Sequence, residues 1–125
     1  MTKRTKKLTS EVLARTIVSG IQEVKGHDIV CLDLREIQNA VADFFIVCHG
    51  TSNTQVEAIA RSIEKETSEK LGEKAGHTEG QRNAKWIFMD YFNVVVHVFD
   101  EDSRKYYALE ELWGDARTTL MMANA

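Results

Sequence analysis

Cysteine, long apolar runs and net charge are all scarce in this sequence of 125 residues. The two cysteines, Cys31 and Cys48, fall in predicted strands, and we interpret them as small buried side chains in a reducing compartment rather than a disulfide. No apolar run reaches the roughly 18 residues that a membrane helix needs. The net charge of −3 argues against a general affinity for nucleic acid. We therefore expect one globular domain with no membrane segment.

The N-terminus is basic but has no apolar segment of the kind found in secretory signals, and it is too short for an intact transit peptide. A bacterial cytoplasmic location is therefore predicted. The only dense positive cluster consists of Lys3, Arg4, Lys6 and Lys7. A solvated tail is the simpler interpretation of this cluster, and a contact with a phosphate backbone is the alternative. We divide the chain into a basic flexible tail (1–8), a single domain (9–116) and a C-terminal tail (117–125).

The most apolar stretch of the sequence is 86–99. Its two segments are rich in Val, Ile and Phe and are separated by a turn containing Asp90 and Asn93, a pattern that predicts a β-hairpin. Asn93 is the turn residue that best tolerates a positive φ. The second segment, Val94–Phe99, is apolar on both alternating faces except for His97. A strand of this kind is normally covered on both faces, so we place it at the centre of a sheet.

Helical spacing, caps and short apolar runs predict the remaining elements. They are a helix from Ser10 to Lys25, strands at Asp28–Leu34 and Phe44–Cys48, a helix capped by Ser52 or Asn53 that ends near Leu71, a short edge strand at Glu73–Thr78, and a last helix from Glu101 or Asp102 to Trp113. This order predicts an α/β fold, a three-layer-like mixed sheet of about five strands with helices on its faces.

The turn after the second strand, Gly50–Asn53, has the shape of an anion site because it joins a buried strand to a helix N-terminus. It lacks the Lys of a P-loop, and a tight turn with Ser52 as the helix cap is the simpler interpretation. A nucleotidyltransferase would also need paired carboxylates on a neighbouring strand to hold metal ions. Glu73, Glu79 and Asp90 are not paired in this way. We predict no catalytic residue, and a nucleotide-binding enzyme that uses Gly50–Asn53 as a phosphate cradle stays open as an alternative.

The chain has four histidines, and their spacing is not that of a metal site. We predict neither a metal nor a cofactor. A triad of Ser52, His97 and Asp90 has no support in the spacing, and His97 in a buried strand is more typical of a hydrogen-bonded core or interface histidine.

Large aromatic side chains are more informative. Trp86 and Tyr91 bracket the first strand of the hairpin, and Tyr106, Tyr107 and Trp113 lie on the last predicted helix. Several of these rings belong in a core, but Trp and Tyr are also common anchors of protein interfaces. From the residues alone, the core and interface interpretations are about equally supported.

One ordered set of segments spans nearly the whole domain, from Ser10 to Ala116. The segments are Asp28–Asp33, Ala42–Val47, Gly50–Asn53, Ala58–Ala60, Glu79-Gly80, Trp86, Asp90, Val94–Phe99, Ser103-Arg104 and Tyr107–Trp113. In this combination they resemble the ribosomal silencing factor family, also called the Iojap family.

This resemblance implies a translational repressor that is not an enzyme. Members of the family bind the large ribosomal subunit through universal large-subunit ribosomal protein fourteen and block the joining of the small subunit. The family is also linked to late assembly of the large subunit, and its members are often homodimers. Its fold is similar to a nucleotidyltransferase core without the catalytic carboxylates. An assembly factor that does not silence translation is a further alternative.

Carried over by position, the resemblance implies a set of partner-binding residues: Trp86 as the main contact, Asp90 and Tyr91 beside it, Glu79 and Gly80 in the adjacent loop, and His97 supporting or reaching this surface. Two residues depart from the family pattern. Phe92 stands where the hairpin turn often has Gly, so we expect a longer turn or a positive φ at Asn93 instead. His49 stands where a small hydroxyl residue is common.

Overall fold

The fold is a mixed β-sheet with two long helices on one of its faces. The computed structural model describes residues 9–40 and 42–109, together with the backbone of residues 117–120. Its elements are α1 Ser10–Glu23, β1 His27–Asp33, β2 Phe44–Gly50, α2 Asn53–Leu71, β3 His77–Glu79, β4 Trp86–Asp90, β5 Val94–Asp100, α3 Glu101–Tyr107 and β6 Arg117–Leu120. The six strands lie in the order β3-β4-β5-β2-β1-β6. The predicted mixed α/β fold is confirmed.

The two central strands, β2 and β5, are the most buried elements of the sheet. They pair in parallel from Phe44 opposite Val94 to Gly50 opposite Asp100, whereas the other strand pairs are antiparallel. The side chains of both strands are covered on both faces, as the apolar run of β5 predicts. The central position expected for β5 is therefore confirmed.

Alternation along the strands divides the core into two clusters, one on each face of the sheet. The face covered by α1 and α2 contains the larger cluster, which includes Ile17, Ile59, Ile87, Met89 and Val96. The opposite face contains a smaller cluster built on Leu32, Leu34, Phe45, Val47, Val95 and Phe99, against which Trp86, Phe88 and Leu109 pack while half-buried. The short helix α3 follows β5 on this second face.

The ends of α2 follow the predicted cap chemistry. The Ser52 hydroxyl accepts a hydrogen bond from the backbone N–H of Gln55, and Gly72 ends the helix in the left-handed conformation. These two caps satisfy backbone groups that a helix otherwise leaves unpaired. At α1, Thr9 provides the corresponding cap by accepting from the Val12 N–H.

The ends of α1, β1 and β2 lie within two residues of the predicted ones, and three other elements differ more from the sequence prediction. β3 lies at the end of the predicted segment and beyond it, at His77–Glu79. α3 ends at Tyr107 because Ala108 adopts the left-handed conformation, which stops helical hydrogen bonding; the predicted continuation toward Trp113 lies outside the described residues. Arg117–Leu120, predicted to be part of a C-terminal tail, pairs with β1 as the edge strand β6. The sequence of β6 lacks alternating apolar residues, so only its backbone pairing with β1 identifies it as a strand.

The turn between β4 and β5 also differs. Phe92, not Asn93, takes the positive φ, at +71°. Asn93 instead uses its backbone carbonyl to accept hydrogen bonds from the N–H groups of Asp43 and Phe44 at the start of β2. These bonds hold Asn93 against the central sheet, so the chain reverses at Phe92 instead.

No helix within the described residues is long and apolar enough to cross a bilayer. The predicted basic tail, with Lys3, Arg4, Lys6 and Lys7, lies outside the described residues.

The two long helices approach closely at Gly20, which predicts a sensitivity to added volume. A Cβ atom at Gly20 would lie 2.9 Å from Ile63 Cα, and the Ser62 hydroxyl donates a 2.6 Å hydrogen bond to the Gly20 carbonyl. Gly20→Ala should lower the free energy of unfolding by about 1–3 kcal/mol through overpacking, although alanine is the better helix former. Urea denaturation measures the change. Ser19→Ala on the same helix is the control, and equal stability of the two variants would contradict the close contact.

Candidate partner-binding site

The centre of the candidate site is a hydrogen bond between two side chains of neighbouring strands. Trp86 lies on β4 and His97 on β5, both on the face of the sheet opposite α1 and α2. The indole Nε1–H of Trp86 donates to His97 Nδ1 at 2.9 Å. Because an indole nitrogen can only donate, Nδ1 must be the unprotonated nitrogen of the imidazole. The predicted supporting role of His97 therefore has a defined geometry.

Aromatic rings surround this pair. The centroid of the Trp86 ring lies 4.6 Å from that of Tyr107 on α3 and 5.2 Å from that of Phe99 on β5. The ring of Phe88 lies 5.4 Å from that of His97. We call Trp86, Phe88, His97, Phe99 and Tyr107 the aromatic cluster. Trp86 and Phe88 are half-buried and Tyr107 is 46% exposed, so part of the cluster faces solvent.

His97 is a buried polar group in an otherwise apolar strand. It is 6% exposed, and burial lowers its pKa from 6.5 to about 4. The ring is therefore neutral at pH 7, the state that the hydrogen bond from Trp86 requires. The Phe45 ring packs against it on the β2 side in a tilted arrangement, with centroids 4.5 Å apart.

Asp90 and Gly80 act on the backbone around the candidate site. The Asp90 carboxylate accepts a 2.7 Å hydrogen bond from the Phe92 N–H and so stabilises the hairpin turn. Gly80 has φ +93°, and a Cβ atom there would lie 2.0 Å from the carbonyl oxygen of Trp86. Only glycine fits this close approach to the start of β4. Glu79 is exposed and pairs with His77 on the same strand.

Tyr91 is not part of the surface around Trp86. It is 6% exposed and packs in the larger cluster with α1 and α2, where its hydroxyl forms a 2.9 Å hydrogen bond with Thr67. Burial also raises the pKa of its phenol. Trp86, Phe88 and Asp90 alternate onto one face of the sheet and Tyr91 onto the other, so the prediction that Tyr91 contacts a partner beside Trp86 is wrong.

Sequence reasoning did not assign Phe88 or Phe99 to the site, and it left Tyr107 open between core and interface. Period-two alternation from Trp86 identifies Phe88, and the antiparallel register of β4 and β5 places Phe99 directly opposite Trp86. Tyr107 carried no such signal, because its position depends on how α3 lies on the sheet. Tyr106 is 82% exposed, and Trp113 lies outside the described residues.

In the turn after β2, a side chain of the following helix fills the candidate anion site. The Gln55 side-chain oxygen accepts a 2.8 Å hydrogen bond from the Thr51 backbone N–H, the group that a phosphate would use. The Gln55 amide nitrogen donates to the carbonyls of Val24 and Lys25. With Ser52 as the cap, the structure favours a tight strand-to-helix turn over a phosphate cradle.

The remaining polar and nucleophilic residues in the described part of the chain form no recognisable centre. Within residues 9–40 and 42–109, no three His, Cys, Asp or Glu side chains lie close enough to hold a metal ion. Burial raises the pKa of both Cys31 and Cys48 to about 12, so their thiols stay protonated at pH 7. His27 and His49 stack at the edge of β1 and β2, where Arg104 of α3 contacts His49 Nδ1 at 2.9 Å.

Comparison with known proteins identifies relatives over nearly the whole chain. A family model described as ribosomal silencing factor during starvation matches residues 7–124. The ribosomal silencing factor RsfS of Halalkalibacterium halodurans is 40% identical over 111 residues, which are 89% of this chain and 93% of that protein. RsfS of Bacillus subtilis is 40% identical over 109 residues, covering 87% and 91%. A crystal structure from Chromobacterium violaceum matches with a TM-score of 0.81 and 30% identity, covering 92% of this chain and 94% of that one. The resemblance noted from the sequence is confirmed.

The close approach of Gly80 to the Trp86 carbonyl predicts that a larger residue at position 80 changes the environment of Trp86. Gly80→Ala should displace the loop before β4, lower the free energy of unfolding by about 1–3 kcal/mol and shift the fluorescence of Trp86. The measurement uses a Trp113→Phe background, which leaves Trp86 as the only tryptophan. Gly72→Ala is the matched control because Gly72 also has a positive φ, but a Cβ atom there would meet nothing within 4 Å. If both variants left the fluorescence unchanged, the predicted contact would be wrong.

The bond between Trp86 and His97 predicts a pH dependence. The His97 imidazole has a pKa near 6.5 in the unfolded chain, and burial lowers this pKa to about 4 in the folded chain. The free energy of unfolding should therefore fall as the pH drops through that window, by on the order of 3 kcal/mol. In the Trp113→Phe background, the fluorescence of Trp86 should change with a midpoint near pH 4.

The control for this titration is His97→Phe in the same background, which removes the titrating group. Circular dichroism recorded on the same samples separates loss of the hydrogen bond from global unfolding. A fluorescence transition near pH 4 that persists in the His97→Phe variant would show that another group is responsible.

Proposed function

This chain belongs to the ribosomal silencing factor family, and we propose that it represses translation by binding the large ribosomal subunit and blocking the joining of the small subunit. The proposed contact on the ribosome is universal large-subunit ribosomal protein fourteen. The repression needs no reaction: while the protein is bound, its volume keeps the small subunit away.

The observation that supports the proposal most directly is the state of Trp86. Its N–H already donates a hydrogen bond to His97. A partner can therefore cover the exposed part of the ring without leaving a buried donor unsatisfied. The rings of Phe99 and Tyr107 hold the indole in place, so little side-chain freedom is lost on binding. A fixed, half-buried tryptophan of this kind is typical of interface hot spots.

The size of the chain fits a steric mechanism. Its accessible surface is 7472 Å², and a standard protein interface covers about 800 Å² on each partner. Binding through the aromatic cluster would therefore use roughly a tenth of the surface. The layer of α1 and α2 lies on the opposite face of the sheet and would remain outside this interface.

A catalytic role is less well supported than binding. The side chain of Gln55 fills the position where a phosphate would bind beside Thr51. The carboxylates of Glu79 and Asp90 are bonded to His77 and to the hairpin turn, respectively. We therefore propose that the protein acts through occupancy and not as an enzyme.

Three further features stay predictions. The basic tail, with Lys3, Arg4, Lys6 and Lys7, would contact ribosomal RNA once the domain has docked. The free protein would form a homodimer, as expected for the family, and would act in the cytoplasm. Analytical ultracentrifugation of the free chain tests the dimer.

The direct test is co-sedimentation with purified large subunits, followed by addition of small subunits. The chain should pellet with large subunits and lower the yield of joined ribosomes. Trp86→Ala should weaken binding by roughly 2 kcal/mol or more, about thirtyfold. Absence of binding by the unmodified chain, both to the subunit and to isolated ribosomal protein fourteen, would contradict the proposal.

Two variants make this test specific. Trp86→Phe keeps the packing against Phe99 and Tyr107 and should bind more tightly than Trp86→Ala. Lys65→Ala changes an exposed residue of α2 on the opposite face and should bind normally. Thermal denaturation of each variant separates loss of contact from loss of fold, and normal binding by a folded Trp86→Ala variant would exclude Trp86 as the anchor.

A further inference from the structure

The turn between β4 and β5 places a large aromatic side chain in solvent on a strained backbone. Phe92 has φ +71° and is 75% exposed. A positive φ is rare for bulky residues because the side chain crowds the backbone, whereas glycine adopts it freely. Strained residues of this kind persist where surrounding contacts hold them, and they are concentrated at functional sites.

Three hydrogen bonds hold Phe92 in this conformation. The N–H of Asn93 donates to the Tyr91 carbonyl at 2.9 Å, which closes a three-residue turn centred on Phe92. The Tyr91 N–H donates to the Val94 carbonyl at 2.9 Å, and the Phe92 N–H donates to the Asp90 carboxylate at 2.7 Å. Asp90 is thus a positioning residue for the turn, and the direction of the Phe92 side chain is set by the sheet.

Stability of the isolated chain does not account for a phenylalanine at this position. The ring passes over Gly76, where a Cβ atom would lie 3.0 Å from Phe92 Cε2, but three-quarters of the residue stays in contact with water. Asparagine or glycine would adopt the same φ with less strain. The little apolar surface that the ring buries therefore does not offset the strain of the backbone.

We propose that Phe92 is a second contact residue for the protein partner that binds Trp86, and that its ring enters an apolar recess of that partner. The inference rests on the proposed function. Trp86 and Asp90 are the two ends of β4, about 13 Å apart at roughly 3.3 Å per residue, and Phe92 lies just beyond. A standard interface of about 800 Å² per partner is roughly 30 Å across, so the distance between Trp86 and Phe92 is within the reach of one occupant.

The test combines stability with binding, because the two should change in opposite directions. Phe92→Gly relieves the positive φ and should raise the melting temperature by about 2–4 °C. The same variant should weaken binding to large subunits at least fivefold in co-sedimentation. Phe92→Asn, which also tolerates the turn, should behave alike. Phe92→Tyr keeps the ring and should bind like the unmodified chain.

Each outcome has a separate meaning. Higher stability with unchanged binding would overturn the inference and leave the proposed function intact. A lower melting temperature for both Phe92→Gly and Phe92→Asn would overturn the premise that the residue is strained, and the inference with it. Failure of the unmodified chain to bind large subunits would overturn the proposed function itself, and Phe92 would then lose its assigned partner.

Discussion

The parallel pairing of β2 with β5 is the constraint on which the rest of the structure depends. Two parallel neighbours cannot be joined by a tight turn, so the chain must leave the sheet and return to the same end. It does so through α2 and then adds β3 and β4 before β5. The hairpin connection places β4 on the outer side of β5, with Trp86 opposite Phe99. The position of the candidate site is therefore a consequence of how the central pair is connected.

His97 links this central pair to the surface. A polar side chain in the middle of a buried strand is unfavourable unless it is hydrogen-bonded. Here it accepts the N–H of Trp86, which would otherwise need a partner of its own. The bond satisfies both groups and restrains the indole, and the rings of Phe99 and Tyr107 pack against the indole and restrain it further. Because burial keeps His97 neutral at pH 7, this support is constant under ordinary cellular conditions.

The sequence predicted the elements whose signals are local. Caps and apolar spacing predicted α2 to within about one residue, and the double-sided apolar pattern of β5 identified the centre of the sheet. Features that depend on tertiary contacts were missed or misplaced. β6 forms through backbone pairing with β1. Tyr91 was placed beside Trp86 by position in the family pattern, but the strand alternation turns its side chain into the larger cluster on the other face. Tyr107 joins the aromatic cluster only because α3 folds back onto the sheet, which no residue pattern specifies.

Tyr91 and Phe92 show how one turn separates stability from binding. Tyr91 continues the alternation of β4 onto the helix-covered face, where its ring is buried and its hydroxyl is bonded to Thr67. Phe92 follows it at the point where the chain reverses, and its ring is left outside. The bond from Asp90 to the Phe92 N–H stabilises the turn without burying the ring. Since Tyr91 already anchors the hairpin to the core, the next position is free of a packing requirement, and its side chain can be selected for contact with a partner.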